Sequence, residues 1–179
     1  STESEDIQAI VNKTKAQNIF GLSAGAIIVL KTAIIESSIK KMALYEPPIS
    51  VNGTKSLAWI DKCEAALSKQ HFGKAFISIV KGTDDPSSLF NMLPGFITAP
   101  LMNFAINYEA KKDKTDGEAS LKSLISAMPY DIKVDLDAEN IIHECKDLAK
   151  DALLLSGQRS QHYLQAAPDA LAAVLPRAR

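Results

Sequence analysis

Five residues constrain this chain more than any others. Gly21-Leu22-Ser23-Ala24-Gly25 stands between a short apolar run ending at Phe20 and a long apolar segment from Ala26 to Ile35. The pattern reads as a strand, a strained turn and a buried helix, with the Ser23 hydroxyl held up at the turn. That is the layout of a nucleophile elbow, in which an unfavourable backbone conformation lifts the serine above the sheet edge. Glycine is expected at both ends on steric grounds: a side chain at 21 or 25 would collide with the neighbouring strand or helix as the chain reverses.

The rest of the sequence places that elbow in an α/β pattern with a long helical insertion. Ser4 to Lys15 carries Ile7, Ile10 and Val11 at helical spacing, and Asn18 to Phe20 is the strand entering the elbow. The helix that leaves it is apolar on nearly every side, so it belongs inside a protein. Met42 to Tyr45 is a second strand, ended by Glu46-Pro47-Pro48 because proline cannot donate to a ladder. Ala152 to Ser156 is a third, followed by the loop Gly157-Gln158-Arg159-Ser160 and a helix from Ser160 to Leu175 that Pro168 is expected to kink or split.

Between the second and third strands the periodicity is helical throughout. Ser56–Lys69, His71–Val80 (closed by Lys81-Gly82), Pro100–Lys112 and Glu118–Met128 read as helices, and Asp137 as the cap of another from Ala138 to Lys150. The alternating carboxylates Asp135, Asp137 and Glu139 lack the glycine and closing glutamate of a calcium loop, so they mark a helix start and no metal is expected. Residues 1–48 with 149–179 are therefore expected to form a parallel-sheet core, and 49–148 a helical cap. Phe90, Met92, Leu93, Phe96, Ile97, Leu101, Met102 and Phe104 are apolar enough to line a cavity there, although such stripes also form plain core.

Composition narrows the chemistry. With 20 basic against 21 acidic residues in 179, nothing invites nucleic acid or an anionic membrane. The longest apolar stretch is too short to span a bilayer and is interrupted by Lys31 and Thr32; with the acidic first residues, this predicts a cytoplasmic chain without a membrane span. Cys63 and Cys145 have no metal-type spacing and read as free thiols.

On the elbow Phe20-Gly21-Leu22-Ser23-Ala24-Gly25-Ala26, the strand end Leu44-Tyr45-Glu46-Pro47-Pro48 and the late Leu153-Leu154-Leu155-Ser156-Gly157, the chain resembles the α/β-hydrolase superfamily, especially its lid-bearing esterase-like members. The resemblance implies a partial α/β-hydrolase fold with a large cap insertion. It also implies that strands and a Gly-rich oxyanion loop before the elbow, and a final strand with the histidine after the last helix, lie outside these residues.

A serine hydroxyl needs an adjacent base, and the base an acid to fix its tautomer. Ser23 is the expected nucleophile. The Ala24 N–H is one oxyanion donor by position, and Leu22 is the binding position on the other side of the serine. The family's usual acid site, the loop after the third strand, offers only Gln158, Arg159 and Ser160. Glu46 at the end of the second strand is the alternative acid, against a reading as an ordinary surface or lid-contacting glutamate. His71, His143 and His162 all stand outside the place where the family puts its base.

The expected activity is that of a serine hydrolase on an ester or related acyl substrate, with no cofactor. A non-catalytic relative binding a small apolar ligand or a partner protein is the second reading. A fragment that self-associates through an exposed sheet edge is the third.

Overall fold

The computed structural model describes residues 2–51, 58–82, 94–111 and 118–179. Its packing divides into two compact units, Ser1–Lys55 with Lys133–Arg179, and Ser56–Ile132.

The first unit is built on three parallel strands, β1 (Asn18–Leu22), β2 (Lys41–Tyr45) and β3 (Asp151–Leu155), in the order β1-β2-β3. The register places Phe20 beside Ala43 and Ala43 beside Leu153. Burial alternates along β2: Met42 and Leu44 face inward, Ala43 and Tyr45 lie half-buried on the other face, the period of two that a strand imposes. On that second face Phe20, Leu22 and Leu153 stand exposed. Beyond β3, Arg177 and Arg179 begin a further parallel pairing, with Ala152 N–H donating to Arg177 O (3.1 Å) and Arg179 N–H to Ala152 O (3.0 Å).

Helices α1 (Thr2–Thr14) and α2 (Ala24–Ile35) cover the inward face. Ala26, Ile27, Val29, Leu30 and Ala33 of α2 are buried, and each large one contributes roughly 1.5–3 kcal/mol of transfer free energy. Thr32 is buried there too, and its hydroxyl is satisfied by Ile28 O at 2.8 Å. Ile28 and Ile34 are half-buried, and Ile35, at the helix end, is exposed. Just past it, the Glu36 carboxylate accepts from Ser38 N–H (3.0 Å) and Gln8 Nε2 (3.2 Å), while Lys150 Nζ donates to Glu36 O (2.5 Å). The Ser38 backbone bond, first among several, holds the Glu36 carboxyl below its ordinary pKa.

The second unit holds α3 (Ile60–Leu67), α4 (Phe72–Gly82) and α5 (Gly95–Glu109), packed around Trp59, Cys63, Ala75 and Ile106. The next helix, α6 (Leu121–Leu136), carries the boundary between the units. Ile49, Val134, Ala138, Ile141 and Cys145, all within the expected cap of 49–148, are buried in the same cluster as Leu44 and Ala152.

Several helix boundaries differ from expectation. Pro94, not Pro100, precedes the first turn of α5, and Pro100 sits inside it at the loss of one ladder bond. Similarly, α6 runs through Pro129 to Leu136, so Asp135 lies at a helix end rather than a start, and Asp137 N–H still bonds back to Lys133 O. Beyond α6 the chain forms turns around the short α7 (Ile141–Glu144), not a helix from Ala138 to Lys150; i to i+3 bonds such as Ile141 N–H to Ala138 O replace the α-helical ladder. The last helix, α8 (His162–Val174), is continuous through Pro168, neither split nor interrupted.

Candidate active site

The residues of interest sit at the carboxyl ends of the strands, where open α/β sheets bind their ligands. Ser23 is the first residue after β1. Its backbone holds φ 53° and ψ −128°, a region that non-glycine residues rarely occupy. Two bonds fix it there: Ser23 N–H donates to Tyr45 O (2.9 Å) and Ala26 N–H to Ser23 O (2.8 Å). The Ser23 side chain makes no cap bond to the helix and is exposed.

Gly21 is required by close approach. A Cβ there would stand 2.5 Å from Gly25 O and 2.6 Å from Ala26 Cα, both backbone atoms that cannot move aside. Gly25 corrects the expectation of a collision at both ends, since a Cβ built on it meets nothing within 4 Å. It lies in the first turn of α2.

Ala24 is the first residue of α2, so its N–H belongs to the donors that an α-helix leaves without intrahelical partners. These donors and the helix dipole favour negative charge at that end. Leu22, the last residue of β1, is 57% exposed, leaving its side chain as accessible apolar surface beside the serine.

Glu46 repeats the pattern one strand further on. It follows β2 directly, has φ 50°, and donates its N–H to Leu155 O (2.9 Å). Pro47 and Pro48 behind it are buried. Its Oε1 accepts two bonds from the loop after β3, from Gly157 N–H (2.8 Å) and from the Ser160 hydroxyl. That loop is held in turn by Gln165, whose Nε2 lies 3.2 Å from Gly157 O, 3.3 Å from Gln158 O and 2.9 Å from Ser160 O. Tyr163 stands in the same neighbourhood. Burial, then the charges of Asp135 and Glu46, push its phenol above the ordinary value, so it is neutral at physiological pH.

Ser23 and Glu46 are thus both carried to one edge of the sheet. Of the three histidines, His162 opens α8 and is exposed, and His143 is exposed on α7; in the helical unit, His71 lines a recess of about 640 Å³ with Lys62, Lys69, Lys74 and Phe96. Among the described residues none of them hydrogen-bonds Glu46. Of the expected cavity residues, Phe96, Ile97, Leu101 and Phe104 are exposed and Met102 half-buried, while Phe90, Met92 and Leu93 lie outside the described residues.

Sequence reasoning missed Ser160 and Gln165. The lack of a carboxylate in the loop after β3 was visible in the sequence, but nothing local tied the Ser160 hydroxyl to Glu46, 114 positions away. Among the described residues no group of three or more His, Cys, Asp or Glu side chains could hold a metal, and no helix is long and apolar enough to cross a membrane.

Neither a protein-family model nor a curated protein matches the sequence. Solved structures do. An α/β hydrolase from Sphaerobacter thermophilus superposes with a TM-score of 0.71 at 20% identity, over 98% of this chain and 63% of that one. A hydrolase from Pseudomonas aeruginosa gives 0.60 at 13% identity, over 98% and 60%. A thioesterase domain from the curacin biosynthetic pathway gives 0.51 at 14%, over 98% and 64%. The chain spans less than two thirds of the length of these structures. Its three parallel strands, and the reversal at Ser23 that joins the first of them to a buried helix, are those of the α/β-hydrolase fold.

Proposed function

We propose that this chain carries the nucleophile and the acid of a serine hydrolase acting on an ester or related acyl substrate. The observation that carries this reading is the backbone of Ser23. A serine held at φ 53° and ψ −128° between a strand and a helix stores strain that a merely structural residue has no reason to keep. The mechanism assigns Ser23 Oγ to attack on the acyl carbonyl and the Ala24 N–H, at the α2 N-terminus, to the developing oxyanion. Glu46 is the acid that orients the histidine, and that histidine takes the serine proton and returns it to the leaving group. Water then releases the acyl group by the same route.

Exposed Leu22 is read as part of the acyl-binding surface, and the inserted helical unit as the cap. Serine acyl chemistry needs no cofactor. Two free, buried cysteines suit a reducing compartment, which supports the cytoplasm.

Intact mass before and after exposure to a fluorophosphonate, with Ser23→Ala as control, tests the reading. One adduct that disappears in the variant supports it; a folded full-length protein that takes no adduct overturns it. The second reading, a non-catalytic relative that keeps the fold to bind an apolar ligand, draws on Glu46 accepting from Gly157 and Ser160 and, among the described residues, from no histidine.

A further inference from the structure

We infer that Ser160 and Gln165 are positioning residues that present the Glu46 carboxylate with one oxygen clamped and the other open to a base. This rests on the reading of Glu46 as the acid and specifies how that acid is held.

The two donors on Glu46 converge on a single oxygen. Gly157 N–H and the Ser160 hydroxyl both reach Oε1, and among the described residues Oε2 accepts no hydrogen bond. A carboxylate that merely tied two loops together would gain by using both oxygens. One that orients an imidazole must keep one lone-pair set facing outward, at an angle fixed by its other contacts.

The supporting loop is shaped for that contact. A Cβ on Gly157 would lie 2.6 Å from Ser160 Oγ and 3.2 Å from Glu46 Oε1, so a side chain there would press on the hydroxyl and the carboxylate that make this contact. Gln165, one turn into α8, gathers three carbonyls of the loop with one amide group and fixes the loop to the helix. Helix, loop and carboxylate form one chain of bonds from α8 to the end of β2. The polarity also explains why the loop has no carboxylate: a second anion at position 160 would face Glu46 at hydrogen-bond distance, and like charges that close raise the cost of ionising either one.

Steady-state hydrolysis of p-nitrophenyl butyrate by the protein at its full length, read with the ¹⁵N–¹H resonance of Gly157, tests this. Ser160→Ala is expected to lower kcat by about tenfold or more while KM changes by less than about twofold, because orientation of the base acts on the chemical step. Ser160→Thr keeps the hydroxyl and restores kcat to within about threefold, and Gln165→Ala gives an intermediate loss. The Gly157 resonance shifts in Ser160→Ala and returns in Ser160→Thr.

If Glu46→Gln lowers kcat but Ser160→Ala does not, the clamp is overturned and the acid stands. Loss in Ser160→Ala that tracks a fall in thermal stability, with no rescue by threonine, also overturns it. If hydrolysis persists in both Ser23→Ala and Glu46→Gln, or the folded full-length wild-type protein gives none, the functional reading fails and the inference with it; the Gly157 resonance then reports only a structural contact.

Discussion

Ser23 and Glu46 occupy equivalent places one strand apart. Each is the first residue beyond its strand, with φ of 53° and 50° respectively, and each donates its N–H to the last carbonyl of the next strand, Tyr45 O at 2.9 Å and Leu155 O at 2.9 Å. The parallel ladder is thus continued for one step at both positions. In the same step the chain turns left-handed, so both side chains are delivered to the carboxyl edge by one local device. Non-glycine residues keep such a conformation only where surrounding bonds hold it.

The first prediction concerns that strain. Left-handed backbone costs a residue with a Cβ about 1–3 kcal/mol, and glycine removes the cost while losing more chain entropy. Ser23→Gly is expected to raise the midpoint of thermal unfolding by about 2–4 °C, the shift that about 1 kcal/mol produces at this size. Ser23→Ala keeps the Cβ and is expected to stay within about 0.5 kcal/mol of wild type. Circular dichroism melts of the three proteins decide it, and a Ser23→Gly protein that melts lower than wild type would show the elbow to be unstrained.

The two elbow glycines are not equivalent, and substitution should expose the difference. Gly21→Ala forces a Cβ to within 2.6 Å of backbone atoms of Gly25 and Ala26 and is expected to cost about 3 kcal/mol or more. Gly25→Ala enters open space within a helix, where alanine is preferred to glycine by up to about 1 kcal/mol, so it is expected to be neutral or stabilising. Urea midpoints compared at constant slope are the measurement. Equal losses at both positions would contradict the geometry.

The elbow was legible in the sequence because its signal is local. Glycine spacing, an apolar strand and a helix-forming run all fall within residues 18–35. Strand positions were legible for the same reason, and Leu44 and Ala152 are buried as the alternation of apolar residues requires. The carboxyl clamp was not legible, because Glu46 and Ser160 are separated by 114 positions and neither flanking segment shows the pairing. Helix ends around Pro100, Pro129 and Pro168 were misjudged for a different reason. Proline forbids one backbone bond, but a helix with a buried face loses less by giving up that bond than by ending, as buried Ala167 and Leu171 show on either side of Pro168.

In the helical unit, Gly73 marks a close approach of α4 and α5. A Cβ there would stand 2.2 Å from Ala99 O and 2.7 Å from Asn103 N, and Gly73 N–H itself donates to Asn103 Oδ1 at 3.4 Å. Gly73→Ala must push the helices apart and is expected to cost about 2–3 kcal/mol. The chain's one tryptophan, Trp59, is buried in the same cluster, so its fluorescence reports this unit directly. The fluorescence-detected urea midpoint is expected to fall; an unchanged midpoint would mean that the helices do not meet at Gly73.

The last prediction is an alkaline limb of stability. Burial pushes the Cys145 thiol from its ordinary value of 9.0 to about 11 in the folded chain. Below pH 9 the thiol is protonated whether the chain is folded or not, and the stabilisation is fully present. Between 9 and 11 the unfolded chain has released a proton that the folded chain retains, so the unfolded state binds fewer protons and stability falls as pH rises. Burial raises Tyr163 in the same direction, so part of the limb belongs to the phenol. Cys145→Ala is expected to be less stable than wild type at about pH 8, from the lost packing of a fully buried side chain, and to lose less on going to about pH 10.5. The two urea midpoints should therefore converge as pH rises. Parallel decline would show that the Cys145 thiol ionises alike in both states and that its burial has no consequence for proton binding.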